Sequence, residues 1–278
     1  MPRPHQGEAD AVGRVPGSPA TRATLVADLR KLGLAAGSTV LVHSSLSALG
    51  WVVGGAETVV RALEEALGEH GTLMMPAYSM NAPEPSLWKN PAVPEAWWET
   101  IRTEWPPFDA GLSPAVRLGT IAETFRSQRG TERSYHPNHS FSARGPKARE
   151  LLDRHSLDDS LGEGSPLARL YERGGQVLLL GVDHASNSSL HLSEYRATWP
   201  GKHGSLPLRA RVVREGVLVE IVLNDLDLDS DDFGKLGADY EAETGAVRTG
   251  SVGVGAGRLM AQPALVDFGV RWLETNRR

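Results

Sequence analysis

Residues 177–196, VLLLGVDHASNSSLHLSEYR, run from a short apolar stretch through a glycine and a polar loop into the start of a helix. The stretch 177–180 has the length of a buried strand, Gly181 ends it, and Asn187, Ser188 and Ser189 are candidate caps for the helix that follows. That helix carries His191 and Glu194 one turn apart. Ligand crevices of open α/β sheets lie beyond the carboxyl ends of the strands, so this pattern sets an imidazole and a carboxylate at the mouth of a sheet.

Working outward, Leu25, Leu29 and Leu32 repeat at helical spacing after Thr21 and stop at Gly33, which predicts a capped amphipathic helix. A strand at 39–42 follows. Val59, Val60, Leu63 and Leu67 mark a second helix closed by Gly68, and 72–75 reads as another strand. Strand, helix, strand predicts a right-handed parallel crossover. Ser165 and Pro166 open a helix that leads into the strand at 177, and a final helix starting at Pro263 buries Val266, Val270 and Leu273. The stretches 206–213 and 217–223, separated by Arg214, Glu215 and Gly216, predict an antiparallel hairpin. Residues 80–114 combine many prolines with Trp88, Trp97, Trp98 and Trp105, and read as a structured wall or lid. The expectation is an α/β chain with a mixed sheet flanked by helices, one domain over 21–278, preceded by a disordered tail at 1–20 rich in proline, glycine and charge.

Composition narrows the chemistry. The 278 residues carry 34 acidic and 29 basic side chains, a formal charge of -5 that disfavours a sequence-independent grip on nucleic acid and suits a polycationic small molecule. Cysteine is absent, which excludes disulfides, thiolate metal sites and a thioacyl-enzyme route. No apolar stretch approaches the roughly 20 residues a membrane helix requires, and no signal-peptide pattern is visible, so a soluble cytoplasmic protein with no membrane partner is expected.

Three strand ends converge in this reading: His43, Ser44 and Ser45 after the first, Tyr78 after the second, and Asp183 after the third. The loop 49–55, LGWVVGG, leads into a helix start whose backbone N–H groups suit phosphate oxygens, although it matches neither a Walker sequence nor GxGxxG. His191 is either a general base or a satisfied helix histidine; its place after a strand end favours the former. His136 and His139 have an HxxH spacing, but Pro137 breaks the helix that would align them on a metal, and a cofactor contact through Ser140 is favoured instead. Asp225, Asp227, Asp229, Asp231 and Asp232 read as a solvated acidic loop, and the GxSxG elbow of serine hydrolases is absent.

Six segments together resemble the aminoglycoside 3-N-acetyltransferases: 41–50 (LVHSSLSALG), 91–109 (PAVPEAWWETIRTEWPPFD), 136–145 (HPNHSFSARG), 161–170 (LGEGSPLARL), 177–196, and 250–272 with its DFGVRW ending. The resemblance implies a mixed α/β fold distinct from the common GNAT acetyltransferase fold, acetyl-CoA as cosubstrate, no metal, an aminoglycoside acceptor, and antibiotic resistance as the outcome. By motif position His191 looks like the catalytic base and Glu241, in LGADYE, like the acidic residue that orients it. His43, Ser44, Ser45, Leu46, Val53, Gly54 and Ser140 fall on the cofactor side, and Tyr78, Asp109, Asp183 and Glu194 on the substrate side. The implied route is direct attack in a ternary complex, with oxyanion donors near Ser44, Ser45 or Ser189. Ala110 follows Asp109 where the family often has proline, and Ser188-Ser189 replaces a common threonine. The alternatives are a metal-dependent amide hydrolase built on His136, His139, Asp183, His184 and His191, and a sugar-binding module stacking on Trp88, Trp97 and Trp98. Monomer and homodimer both remain open.

Overall fold

The computed structural model describes residues 6–278. In chain order the elements are α1 (Gln6–Gly13), α2 (Arg22–Leu32), β1 (Thr39–Ser44), α3 (Gly55–Leu67), β2 (Thr72–Pro76), α4 (Trp98–Glu104), α5 (Gly119–Ser127), β3 (Glu132–Arg133), β4 (Phe141–Arg144), α6 (Ala148–Leu152), α7 (Pro166–Glu172), β5 (Gln176–Leu180), α8 (Ser189–Arg196), β6 (Leu208–Arg214), β7 (Val217–Leu223), α9 (Phe233–Thr244), β8 (Arg248–Val252), β9 (Gly255–Ala261) and α10 (Gln262–Asn276). A seven-stranded mixed sheet has the order β3-β4-β2-β1-β5-β9-β8, and β6 and β7 form a separate hairpin.

At the centre β1 runs parallel to both β2 and β5, while β4, β9 and β8 are antiparallel to their neighbours. The central strands are apolar at nearly every position because both faces of the sheet are covered. Alternation decides which side each residue serves. Val40, Val42, Leu73, Met75, Leu178 and Leu180 face a core shared with α2, α3 and α5. Leu41 and Met74 face α6, α7 and α8, and Val177 and Leu179 face α8, α9 and α10.

Local chemistry sets the element ends. Thr21 and Thr24 form a reciprocal capping box on α2, and Gly33 closes it at φ 103°. Gly54 and Gly55 enter α3 with φ of 78° and 60°, a left-handed pair that side chains with a Cβ disfavour. The hairpin turn is the two-residue Glu215-Gly216, so Arg214 belongs to β6, paired with Val217.

Two expectations change. Residues 6–13 form a helix where a disordered tail is predicted, because the segment has a surface to pack on: Ala11 is 6% exposed and Arg14 reaches the Ser47 carbonyl. Residues 1–5 of that tail lie outside the described residues. The proline- and tryptophan-rich segment folds into short helical turns around Arg102, which forms an ion pair with Glu84 and lies over Trp98.

Phe125 of α5 is fully buried in the α2/α3/α5 core, so Phe125→Ala is expected to cost about 3–5 kcal/mol. Equilibrium denaturation in urea measures it, and a loss under about 1 kcal/mol contradicts this packing.

Candidate active site

The carboxyl ends of β1, β2 and β5 lie side by side, and a cleft of ≈ 1000 Å³ opens beyond them. Its lining takes His43 and Ser44 from β1 and Ser45 just after it, Tyr78 from beyond β2, and Asn187, Ser188 and His191 from the segment after β5. The three predicted strand ends therefore do meet.

His191 is presented by the first turn of α8. Asn187 Oδ1 accepts from the Ser189 N–H there, and the apolar Leu190 and Leu192 are buried behind it. Close packing against α10 fixes the helix: Ser193 Oγ donates to the Val266 carbonyl, and a Cβ on Gly269 would collide with Ser193. Three residues on, Glu194 has no solvent exposure, and its Oε2 lies 2.5 Å from His191 Nδ1. Its other oxygen accepts from Arg277 Nη1 at 2.5 Å and from the Asp229 N–H at 3.1 Å. With Nδ1 committed to a carboxylate, the nitrogen His191 offers to the cleft is Nε2.

His43 is the second ring in the lining. The Ser188 N–H donates to its Nε2 at 3.3 Å, which puts the ring proton on Nδ1, and Ser188 Oγ in turn accepts from the Tyr78 hydroxyl at 2.8 Å. Burial first, and then the neighbouring His191, hold His43 down to about 3. The ring is therefore a neutral N–H donor across the working pH range. Burial also pushes the Tyr78 hydroxyl up, keeping it a donor.

The charges are segregated. Among the described residues the lining holds the Arg117 guanidinium and no carboxylate. Arg117 stands at φ 61° just before α5, and the N-terminal ends of α3 and α5 both reach the cleft. Ser230 joins the lining from the acidic stretch, where Asp229 and Asp231 are exposed.

Several predicted site residues stand elsewhere. Glu241 accepts from His184 Nε2 at 3.0 Å and Arg258 Nε at 2.9 Å and does not orient His191; the carboxylate that does is Glu194. Glu194 is correspondingly sealed off from any substrate. Helical periodicity brings residues 191 and 194 onto one face, a signal in the sequence that outweighs the motif position of Glu241. Asp109 is exposed and folds back on the Gly111 and Leu112 N–H groups, and Asp183 caps Ala185; neither lines the cleft. Ser140 is fully buried, bridging Arg133 Nε and the Ala77 carbonyl. Ser189, a predicted oxyanion donor, is fully buried as well. His43, Ser44, Ser45, Leu46 and Gly54 do line the cleft, whereas Val53 is 44% exposed outside it. None of the four tryptophans of the predicted wall is in the lining. Arg277 and Arg117 carry no periodic or motif signal in the sequence, and Ser188, expected as a helix cap, instead bonds His43 and Tyr78.

The HxxH pair belongs to a buried three-histidine cluster behind Tyr78. His136 bonds the Leu157 carbonyl, His139 bonds Ser160 Oγ, and His155 spans Ser134 Oγ and the Ser160 carbonyl. Burial lowers all three: His136 to about 4, His155 to about 3, and His139 well below its usual value. An unfolded chain titrates these rings near 6.5, so below that pH it binds more protons than the fold does. Stability is therefore complete above pH 6.5 and is lost as pH falls from there toward about 3. Urea midpoints should drop between about pH 7 and about pH 4.5, and an unchanged midpoint contradicts the neutral cluster.

Glu241→Gln offers a direct check on the reassignment. Turnover should stay within about threefold of the unsubstituted protein, while Glu194→Gln should lose more than about tenfold. Equal losses would return Glu241 to the site.

A family model described as aminoglycoside 3-N-acetyltransferase matches residues 41–274. The prophage-derived aminoglycoside N(3')-acetyltransferase-like protein YokD of Bacillus subtilis (strain 168) is 40% identical over 259 residues, 93% of this chain and 94% of that protein. Its crystal structure aligns with a TM-score of 0.92, covering 96% and 98% of the two chains. Aminoglycoside N(3)-acetyltransferase VIII of Streptomyces fradiae is 40% identical over 274 residues, 93% of each chain. The structure of AAC-IIIb in binary complex with CoASH aligns with a TM-score of 0.83 at 34% identity, covering 93% and 97%.

Proposed function

The chain belongs to the aminoglycoside 3-N-acetyltransferase family, and from that premise we propose that it moves the acetyl group of acetyl-CoA directly to the 3-amino group of an aminoglycoside, with His191 as general base. The observation that carries this reading is the His191 ring: one nitrogen is tied to the buried Glu194 carboxylate, and the ring borders the cleft.

An aminoglycoside amine is mostly an ammonium near neutral pH and has no lone pair until a proton leaves. His191 Nε2 takes that proton, and Glu194 holds the ring in the tautomer that can accept it and stabilises the imidazolium. The amine nitrogen then bonds to the acetyl carbonyl carbon and gives up its second proton to solvent, the carbon–sulfur bond breaks, and the leaving thiolate takes up the proton held by the His191 imidazolium. Charge gathering on the carbonyl oxygen needs a neutral donor. The Nδ1–H of His43 supplies one from the same cleft, with Ser44 and Ser45 beside it.

The two substrates differ in charge, and the cleft suits each on its own side. The N-terminal ends of α3 and α5 with Arg117 fit the phosphates of a coenzyme A, in a lining free of opposing carboxylates among the described residues. Asp229 and Asp231, flanking Ser230, suit the remaining ammonium groups of the drug at the rim near His191. Acetylation removes one positive charge and two of the nitrogen's three N–H donors from the antibiotic, which is how resistance follows.

Thiol release from acetyl-CoA across a panel of aminoglycosides, with mass spectrometry locating the acetyl group, tests the activity. His191→Ala should lose more than about 100-fold in kcat with CoASH affinity unchanged within about twofold. Initial-rate lines should intersect. Near-normal turnover in His191→Ala, or parallel lines with a trapped acetyl-enzyme, would overturn the mechanism.

A further inference from the structure

Arg277 stands just beyond α10, 83 positions from Glu194 in sequence, yet its side chain is 11% exposed and fully engaged. Nη1 meets Glu194 Oε1 at 2.5 Å, Nε and Nη2 grip both oxygens of Asp232 at 2.8 and 2.6 Å, and Nη2 also donates to the Asp229 carbonyl at 2.5 Å. The guanidinium plane lies over Trp199 at 5.1 Å and Phe233 at 5.9 Å, and Phe233 in turn packs against the His191 ring at 4.8 Å. Burial works against the charge, but Asp232 and Glu194 outweigh it and hold Arg277 firmly protonated.

From this arrangement we infer that Arg277 and Asp232 form a charge relay behind Glu194 that sets how readily the His191–Glu194 pair takes up a proton, making Arg277 a positioning residue for the base. The inference rests on the reading of His191 as that base. The charges near the ring decide the sign. Glu194 and Asp232 are anionic and Arg277 is cationic, so with His191 neutral the cluster carries one net negative charge, and protonation of His191 brings it to zero. The other groups that face the pair are His43 from β1 and His139 before β4, both held neutral, and Lys202, which donates to the Tyr195 and Ala197 carbonyls at the end of α8. Asp229 contributes only its backbone to the cluster. Removing the guanidinium leaves two anions with no cation bonded to them, and the coupled pair then binds its proton at higher pH, whichever partner holds it. Removing the Asp232 charge does the reverse. The same contacts also fix Glu194 sterically, so the relay sets both the pose and the poise of the ring.

The test is the pH profile of kcat/KM in the full-length protein, measured by thiol release with acetyl-CoA and one accepted aminoglycoside. Titration of the drug's own amine is common to every variant, so differences between variants report the enzyme. Arg277→Met should move the acid limb up by about half a unit to one unit and lower the plateau by about tenfold, with CoASH affinity within about twofold. Asp232→Asn should move the acid limb down, and Arg277→Lys, which keeps the charge, should return it to the unsubstituted position. A merely structural role gives losses in both variants with unmoved or equally moved limbs, and that result overturns the inference. Should Arg277→Met fail to fold, Asp232→Asn and Arg277→Lys decide alone, and an acid limb that does not fall in Asp232→Asn overturns it. An active His191→Ala would instead remove the premise, so the two failures are distinguishable.

Discussion

Glu194 has no contact with solvent, and a carboxylate so placed persists only where both oxygens are paired. One oxygen meets His191, the other meets Arg277 and the Asp229 N–H, and through these bonds a single buried charge joins α8, the end of α10 and the loop before α9. Phe233, Leu236, Leu265 and Leu273 belong to one apolar cluster that packs these elements together. Core packing and the geometry of the His191–Glu194 pair are thus one construction. The aromatic side chain of Phe233 serves both, touching the imidazole and the guanidinium at once.

The sheet supplies the second constraint. Parallel alignment of β2, β1 and β5 brings three chain reversals to one edge, and a parallel core requires apolar residues on both faces. Polar side chains can therefore emerge only at the strand ends, which is where His43, Ser44 and Tyr78 stand. Segregation of charge follows from the same layout: helix N-terminal ends arrive on the side of α3 and α5, and the acidic loop arrives on the side of α9.

The fold was largely legible because the central strands and α2, α3 and α10 announce themselves through apolar periodicity and glycine stops. His191 was legible for the same reason, as it follows the most apolar strand by a short capped loop. The partnership of His191 with Glu194 was readable as helical spacing, but spacing alone does not tell a buried pair from a surface one; that depends on α10 and α9, which lie 39 or more positions away. Ser140 and Asp109 look like ligand groups in sequence and prove to be satisfied by nearby backbone, a distinction set by tertiary contacts. The helix at 6–13 is weakly patterned and exists through its contact with the loop after β1, so no local signal marks it.

That helix has a practical bearing. Ala11 contributes to the wall of the cleft, and Val15 packs near Gly50 in the loop that precedes α3. A purification tag or fusion partner attached ahead of it would emerge beside the cleft rather than on a neutral surface. Handles for labelling or immobilisation belong on the solvent-facing turn at Glu215-Gly216, whose residues take no part in the pocket wall.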